Sequence, residues 1–279
     1  MNSINIKAPA KINIGLFVIS KRKDGFHNIY TLFYPINDLY DELSFTKSEM
    51  FIFSSNAKDL TEDDSNLIIK AKSIIEKYVK QKINVAINLK KRIPIGGGLG
   101  GGSSDAAATL ISLNKLYKLN LTKEVLLSMA LKLGSDVPFF LNKKSAVGSS
   151  RGEVLQEIPL KIDKPILIVN PGISISTKEA FANVVPSPVQ FDYFDLVKNN
   201  SIDYQKMNEF LHNVFEDYIF ANYKEIGEIK KKMYSAGALF SLMTGTGSTV
   251  YGIFNNINEA ENAYNSFPKN YFRFISCPY

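Results

Sequence analysis

The chain has 279 residues, 45% hydrophobic and 22% charged, which is apolar enough for a packed core and excludes an intrinsically disordered chain. Its net charge of +6 comes from 33 Lys and Arg against 27 Asp and Glu, scattered along the sequence, with no basic stripe of the kind that grips nucleic acid. One cysteine, Cys277, and two histidines, His27 and His212, exclude a disulfide framework within the chain and a structural zinc site.

The first twenty residues carry Lys7, Pro9 and Lys11, which interrupt any signal-peptide core. No stretch reaches the ~18 apolar residues of a membrane span, so the expected setting is cytoplasmic, with no membrane partner. Isoleucines at 4, 6, 12 and 14 around Pro9 predict strand, break, strand over 4–19. Asp24-Gly25 marks a tight turn, and 42–54 reads as a hairpin. Leu67, Ile68, Ala71, Ile74, Ile75 and Tyr78 share one face of a helix over 66–80, and "INVAINL" (83–89) alternates as a strand. Helices follow at 104–116 and at 122–133, the second with Thr122 as N-cap and Gly134 as its stop. A strand pair is expected over 145–158, a buried strand at 165–171, and helices near 177–184 and 204–235. Strands at 239–243 and 249–254, a helix near 258–266 and a strand near 271–276 complete an α+β pattern.

Between strand and helix lies "IPIGGGLGGGSSDAAATL" (93–110), with six glycines between Gly96 and Gly102. A flexible linker would have polar, structureless flanks, and these flanks are a strand and an alanine-rich helix. Glycines that admit positive φ, placed before a helix N-terminus, aim backbone N–H groups and the helix dipole at one spot suited to phosphate. The P-loop pattern fails because no lysine precedes Ser103-Ser104. The dinucleotide pattern fits only weakly, since Thr122 begins a helix where an acidic strand end is required. The protein-kinase loop fails for want of V-A-I-K and H-R-D. Gly148-Ser149-Ser150-Arg151-Gly152 fits the nucleophile elbow of hydrolases, but a strand follows it where that motif needs a helix.

"PIGGGLGGGSSDAA" resembles the second motif of the GHMP kinases, the family of galactokinase and of homoserine, mevalonate and phosphomevalonate kinases. "APAKINIGLFV" (8–18), "DGFHNI" (24–29) and "LGSDVPFFL" (133–141) are similar to further motifs of its cytidyl-substrate member, and "MTGTGSTVYGIF" (243–254) to the third motif of the family, in the expected order. The resemblance implies a two-domain α+β fold, with a ribosomal-S5-domain-2-like N-terminal domain (1–160) and a ferredoxin-like C-terminal domain (161–279). It implies transfer of the γ-phosphoryl of ATP, with Mg2+, to the 2-hydroxyl of a small molecule, a cytidine diphosphate-linked methylerythritol, in the non-mevalonate route to isoprenoid precursors. A monomer or weak homodimer without nucleic acid is expected. Two alternatives stay open: another small-molecule kinase of the superfamily, and a non-catalytic nucleotide- or RNA-binding module.

The resemblance also assigns roles. Asp136 becomes the catalytic base, although the residues alone read equally as the N-cap of a short helix with Pro138 in its first turn. Lys11 becomes the cation that supports Asp136, against the reading of an exposed strand lysine. Pro94, Ile95, Gly96, Gly97, Gly98, Leu99, Gly100, Gly101, Gly102, Ser103 and Ser104 form the ATP loop, with Asn66 and Lys91 as candidates beside the adenine. Either serine fits a helix cap, a phosphate contact or a Mg2+ contact, and the magnesium ligands are left unassigned. Asn13 would orient the substrate. Phe26 would stack on the cytosine, His27 would read its edge, and Phe181 would cover its other face. Thr246 and Gly247 would close over the phosphates, or serve as a hairpin turn. One departure stands out: G-S-S-R-G-E at 148–153 replaces the A-x-G-x-G-E run more usual in the family.

Overall fold

The computed structural model describes residues 2–57, 60–61, 63 and 65–277. In chain order they form β1 (Ser3–Lys21), β2 (His27–Lys47), β3 (Ile52–Ser55), α1 (Leu67–Val79), β4 (Val85–Lys90), α2 (Gly101–Leu116), α3 (Lys123–Leu133) and α4 (Val137–Asn142). Next come β5 (Ala146–Ser149), β6 (Val154–Glu157), β7 (Ile166–Asn170), α5 (Thr177–Ala182), α6 (Tyr193–Leu196), β8 (Val197–Lys198) and β9 (Ser201–Ile202). The remainder is α7 (Tyr204–Phe210), α8 (Glu216–Asn222), α9 (Lys224–Ser235), β10 (Phe240–Met243), β11 (Val250–Ile253), α10 (Ile257–Ser266) and β12 (Phe272–Ser276). Contacts divide the chain into two compact units. The first is Met1–Ala10, Leu39–Ile95 and Gly100–Lys143; the second is Lys11–Asp38, Gly96–Leu99 and Lys144–Tyr279.

In the first unit, β4 lies between β2 and β3. It is antiparallel to β2 (Glu42 opposite Lys90) and parallel to β3 (Ile52 opposite Ala86). The hairpin expected over 42–54 is therefore absent. β2 runs on to Lys47, and β3 crosses to the far side of β4, a non-local pairing that no turn signal announces. α1 packs on α2, and α2 packs on α3 and α4. Asn66 caps α1, its Oδ1 accepting from Ile68 N at 2.9 Å. Thr122 caps α3, and Gly134 closes it, as the sequence suggests.

In the second unit, the start of β2 pairs with β5 and β5 with β6, all antiparallel. A separate antiparallel sheet runs β10-β11-β7-β12. Counted among its own strands that order is 2-3-1-4, the ferredoxin-like arrangement, with α9 against β10 and β11 and α10 against β7 and β12. Leu167, Val169, Ile226, Met233, Val250, Phe254 and Ala260 fill its core.

Three other expected elements differ. Pro9 does not break β1: among the described residues that strand pairs in the sheet with β2 alone, so it has an edge position, where proline is tolerated. α2 begins at Gly101, three residues early, since Gly100 enters at φ 73° and the last glycines turn helical. The long helix expected over 204–235 is three helices. The first gap, 211–215, spends its backbone on β1: Leu16 N donates to His212 O at 2.9 Å and Val214 N to Leu16 O at 3.0 Å.

Candidate active site

The second unit holds a buried lysine. Lys11, 2% exposed, comes from the middle of β1. Its Nζ donates to Asn13 Oδ1 at 2.6 Å and to Gly98 O at 2.9 Å. An ammonium taken out of water must be repaid with good acceptors, and hydrogen bonds to a charged group return about 1.5–3 kcal/mol each. The exposed-strand reading of Lys11 is thus excluded. Alternation on β1 puts Asn13 on the same face, and it is equally buried. Its Nδ2 donates to Thr31 Oγ1 at 2.9 Å, and its Oδ1 also accepts from Gly245 N at 3.1 Å. Its backbone N donates to Thr244 Oγ1 at 3.0 Å, and Tyr251 Oη donates to its carbonyl at 3.1 Å. The Asn13 amide is a hub that fixes Lys11 and the 244–245 turn at once.

The glycine loop meets the same turn. Gly98 sits at φ 78°, and a Cβ there would lie 2.2 Å from Thr244 O. No side chain fits, so this glycine is required by space as well as by conformation. Lys11 N donates to Leu99 O at 2.9 Å, and Thr249 N to Gly97 O at 3.3 Å. Gly96 is exposed, also at positive φ, with Ser174 Oγ 3.6 Å from where its Cβ would be. Gly247, at φ 94°, donates from N to Thr244 O at 3.2 Å, and Thr246 Oγ1 lies 3.4 Å from Thr177 Oγ1. The hairpin-turn reading of "TGTGS" therefore holds, and the turn is anchored from below: Asn213 Nδ2 donates to Met243 O at 2.7 Å and Gly245 O at 2.8 Å.

Phe26 and His27 stand where the 22–27 turn enters β2. Phe26 is 50% exposed, and the Arg151 guanidinium lies 4.4 Å from its ring centre. His27 is half-buried and stacks on Phe181, with centroids 5.1 Å apart and planes 28° from parallel. Burial, helped by the Lys21 charge, pulls the His27 pKa below 6.5. The ring is neutral at pH 7, one nitrogen a donor and the other an acceptor. The 148–152 stretch is strand–turn–strand, which removes the hydrolase elbow.

The first unit holds the rest. Pro94 is half-buried and Ile95 is 53% exposed on the approach to the loop. Gly100, Gly101, Gly102, Ser103 and Ser104 form the start of α2. A Cβ on Gly101 would lie 2.8 Å from Lys91 Nζ, whereas one on Gly102 would meet only Leu67 Cδ1 at 3.7 Å. Ser104 is 1% exposed, and its Oγ has no hydrogen-bond partner. Ser103 is half-buried. Lys91 is spent internally: its Nζ pairs with Asp41 Oδ2 and, at 2.9 Å, with Asp105 Oδ2. Asp41 Oδ1 also accepts from Arg92 N and Ile93 N. Burial pushes the Asp105 carboxyl up to about 7, with Lys91 opposing and Asp41 adding to the shift. Asn66 is likewise occupied by its cap and by Thr61 O, to which Nδ2 donates at 2.9 Å. Asp136 occupies the N-cap position of α4, with Pro138 in the first turn, but its side chain makes no capping bond. Capping does not account for its presence.

Sequence reasoning missed Thr31, Asn213, Tyr251, Asp41 and Asp105. Each is buried through contacts with residues 14 to 238 positions away, and although Asp105 and Tyr251 fall inside quoted motifs, nothing local to any of the five announces its partner. Among the described residues no group of three or more His, Cys, Asp or Glu could hold a metal ion, and no helix is long and apolar enough to cross a membrane.

The family models "GHMP kinases N terminal domain" and "GHMP kinases C terminal" match residues 66–144 and 199–273. The chain is 39% identical to the 4-diphosphocytidyl-2-C-methyl-D-erythritol kinase of Chlorobium phaeobacteroides (strain BS1), covering 97% of this chain and 96% of that one. It is also 39% identical to the enzyme of that name from Thermodesulfovibrio yellowstonii, over 95% and 94%. A crystal structure of 4-(cytidine 5'-diphospho)-2C-methyl-D-erythritol kinase superposes with a TM-score of 0.81 at 30% identity, covering 98% of each chain. A homoserine kinase from Cytophaga hutchinsonii, 16% identical, shares the fold with a TM-score of 0.72 over 100% of this chain and 95% of its own. Two family models and near-full-length identity carry the match past the fold: the chain belongs to the 4-diphosphocytidyl-2-C-methyl-D-erythritol kinases of the GHMP kinase family.

Proposed function

We propose that this chain transfers the γ-phosphoryl of ATP to the 2-hydroxyl of 4-diphosphocytidyl-2-C-methyl-D-erythritol. Asp136 accepts the hydroxyl proton, the hydroxyl oxygen bonds to the γ-phosphorus, the bond from that phosphorus to the bridging oxygen breaks, and ADP leaves. Lys11 supports Asp136 and the charge building on the attacking oxygen. The observation that carries this reading is the buried Lys11, held by Asn13 and by the glycine loop's own carbonyl at Gly98.

The ATP loop fits a phosphate chain. Gly96, Gly98 and Gly100 all take positive φ, and the first turn of α2 offers backbone N–H groups beside the unpartnered Ser104 hydroxyl. Bound Mg2+ would neutralise charge on the ATP phosphates, and the hydroxyl of Ser103 or Ser104 would be available to it or to a phosphate. A neutral His27 supplies the donor and acceptor that a cytosine edge asks for, between Phe26 and Phe181. Thr246 and Gly247 cover the phosphates, and Asn13 orients the substrate through Lys11. Lys91 and Asn66 act beside the adenine through the backbone they fix, since their side chains are engaged elsewhere. Residues 1–160 carry the first two motifs and Asp136, and 161–279 carry the third. The enzyme works in the cytoplasm as a monomer or weak homodimer.

The test is ADP release with Mg·ATP, comparing the cytidyl methylerythritol with mevalonate, homoserine and galactose. Turnover with the cytidyl compound only, lowered about 100- to 10,000-fold in Asp136→Asn, is the expected result. Turnover with another alcohol would keep the kinase and overturn the reading of Phe26 and His27.

A further inference from the structure

The β5–β6 turn is the stretch where this sequence leaves its family's usual pattern, and the site as described gives it no task. Its construction is specific. Ser150 takes φ 60° and Gly152 φ 105°, so the turn is folded back tightly. Glu153 closes it, Oε2 accepting from Arg151 N at 2.7 Å and Oε1 from Ser150 Oγ at 3.0 Å. It is tied to the loop that carries Phe26 and His27: Ile29 N donates to Ser150 O at 2.6 Å, and Arg22 Nη1 to Ser150 Oγ at 3.0 Å. Arg22 in turn grips Asp24 through Nε at 3.1 and 3.2 Å and Asn28 Oδ1 through Nη1 at 3.1 Å, and its backbone N donates to Phe26 O at 2.8 Å. The Arg151 guanidinium covers one face of the Phe26 ring.

An aromatic ring half in water has two faces and a mobile χ2, and a base can stack only on a face that stays put. We infer that Arg151 is a positioning residue for the nucleobase subsite: its guanidinium occupies the outer face of Phe26, and the turn that carries it braces the 22–28 loop, so that the opposite face is held ready for the cytosine. This rests on the reading of Phe26 and His27 as the base site. Arg151 touches the ring and not the reacting atoms, so it acts on substrate binding and leaves phosphoryl transfer alone.

The experiment compares Arg151→Ala, Arg151→Met, Arg151→Lys and Phe26→Ala. It reads KM and kcat for the cytidyl methylerythritol, and affinities for cytidine and CDP as inhibitors. Arg151→Ala and Arg151→Met should raise KM about three- to tenfold with kcat within about twofold, the size of an exposed cation–π contact and somewhat more. Arg151→Lys should restore part of the loss, because an ammonium still favours the ring face, and cytidine and CDP should weaken equally. If Phe26→Ala raises KM and the Arg151 variants do not, the inference is wrong while the base site stands. If only CDP binding weakens, Arg151 is a diphosphate contact and the inference is overturned. If Phe26→Ala leaves KM unchanged, the base-site reading fails and takes this one with it.

Discussion

At the scale of single residues, space and protonation decide most of what this site does. Gly98 has a carbonyl where its Cβ would be, and its backbone is left-handed. Gly98→Ala should cost about 1–2 kcal/mol from conformation alone, more from the contact with Thr244, and should weaken ATP binding. Gly102→Ala, with nothing closer than 3.7 Å, should be neutral or stabilising by about 0.5–1 kcal/mol and keep ATP affinity. Thermal melts and ATP titrations of the two variants make the comparison. His27 gives a second outcome. Burial holds its pKa below 6.5, so acidification through that lowered value turns its acceptor nitrogen into a donor. KM for the cytidyl substrate should then rise on acidification through that lowered value, and the rise should vanish in His27→Gln. The sequence shows these residues unevenly. Lys11, Gly98 and the Phe26-His27 pair lie in motifs whose local pattern already carries the chemistry. Asp41 and Asp105 are different: Asp105 sits inside the second motif, but nothing local to either announces that they share Lys91.

Elements show the same contrast. Helices with capping residues at both ends, such as α1 and α3, are legible from the chain to within a residue or two. β3 is not, because its partner β4 lies 34 residues on and in parallel. The 211–215 break is not, because a long helical pattern gives no hint that β1 will claim its backbone. That break is the brace of the third-motif turn. Asn213→Ala removes the donor from Met243 O and Gly245 O and should cost about 1–3 kcal/mol. A lowered urea midpoint with an unchanged slope would register it, and a weaker ATP affinity would show that the turn had lost its anchor. Glu216, whose Oε1 accepts from Met243 N at 2.8 Å, should leave part of the brace in place.

For the molecule as a whole, the α+β pattern was readable from the order of elements and the ferredoxin-like half was implied by the family resemblance, but the exchange of chain between units was not, since β1 and β2 each run across a unit boundary as one unbroken strand. Stability should bear the mark of the buried acidic pair. Asp105 titrates near 7 in the folded protein and at 3.8 when unperturbed, so between those values the folded state holds the extra proton. Raising pH through that window removes it and lowers stability. The urea midpoint should fall between pH 5 and 8, and Asp105→Asn, which carries no such proton, should flatten the fall. The separation between Asn13 and Thr244 has a consequence for synthesis. The hub amide leaves the ribosome 231 residues before the hydroxyl that receives its backbone N–H. At typical elongation rates that is roughly 10–50 s, during which a polar group destined for the interior has no final partner. A nascent chain arrested at residue 160 should therefore bind no ATP and be cut by protease near Lys11, whereas one released at full length should resist.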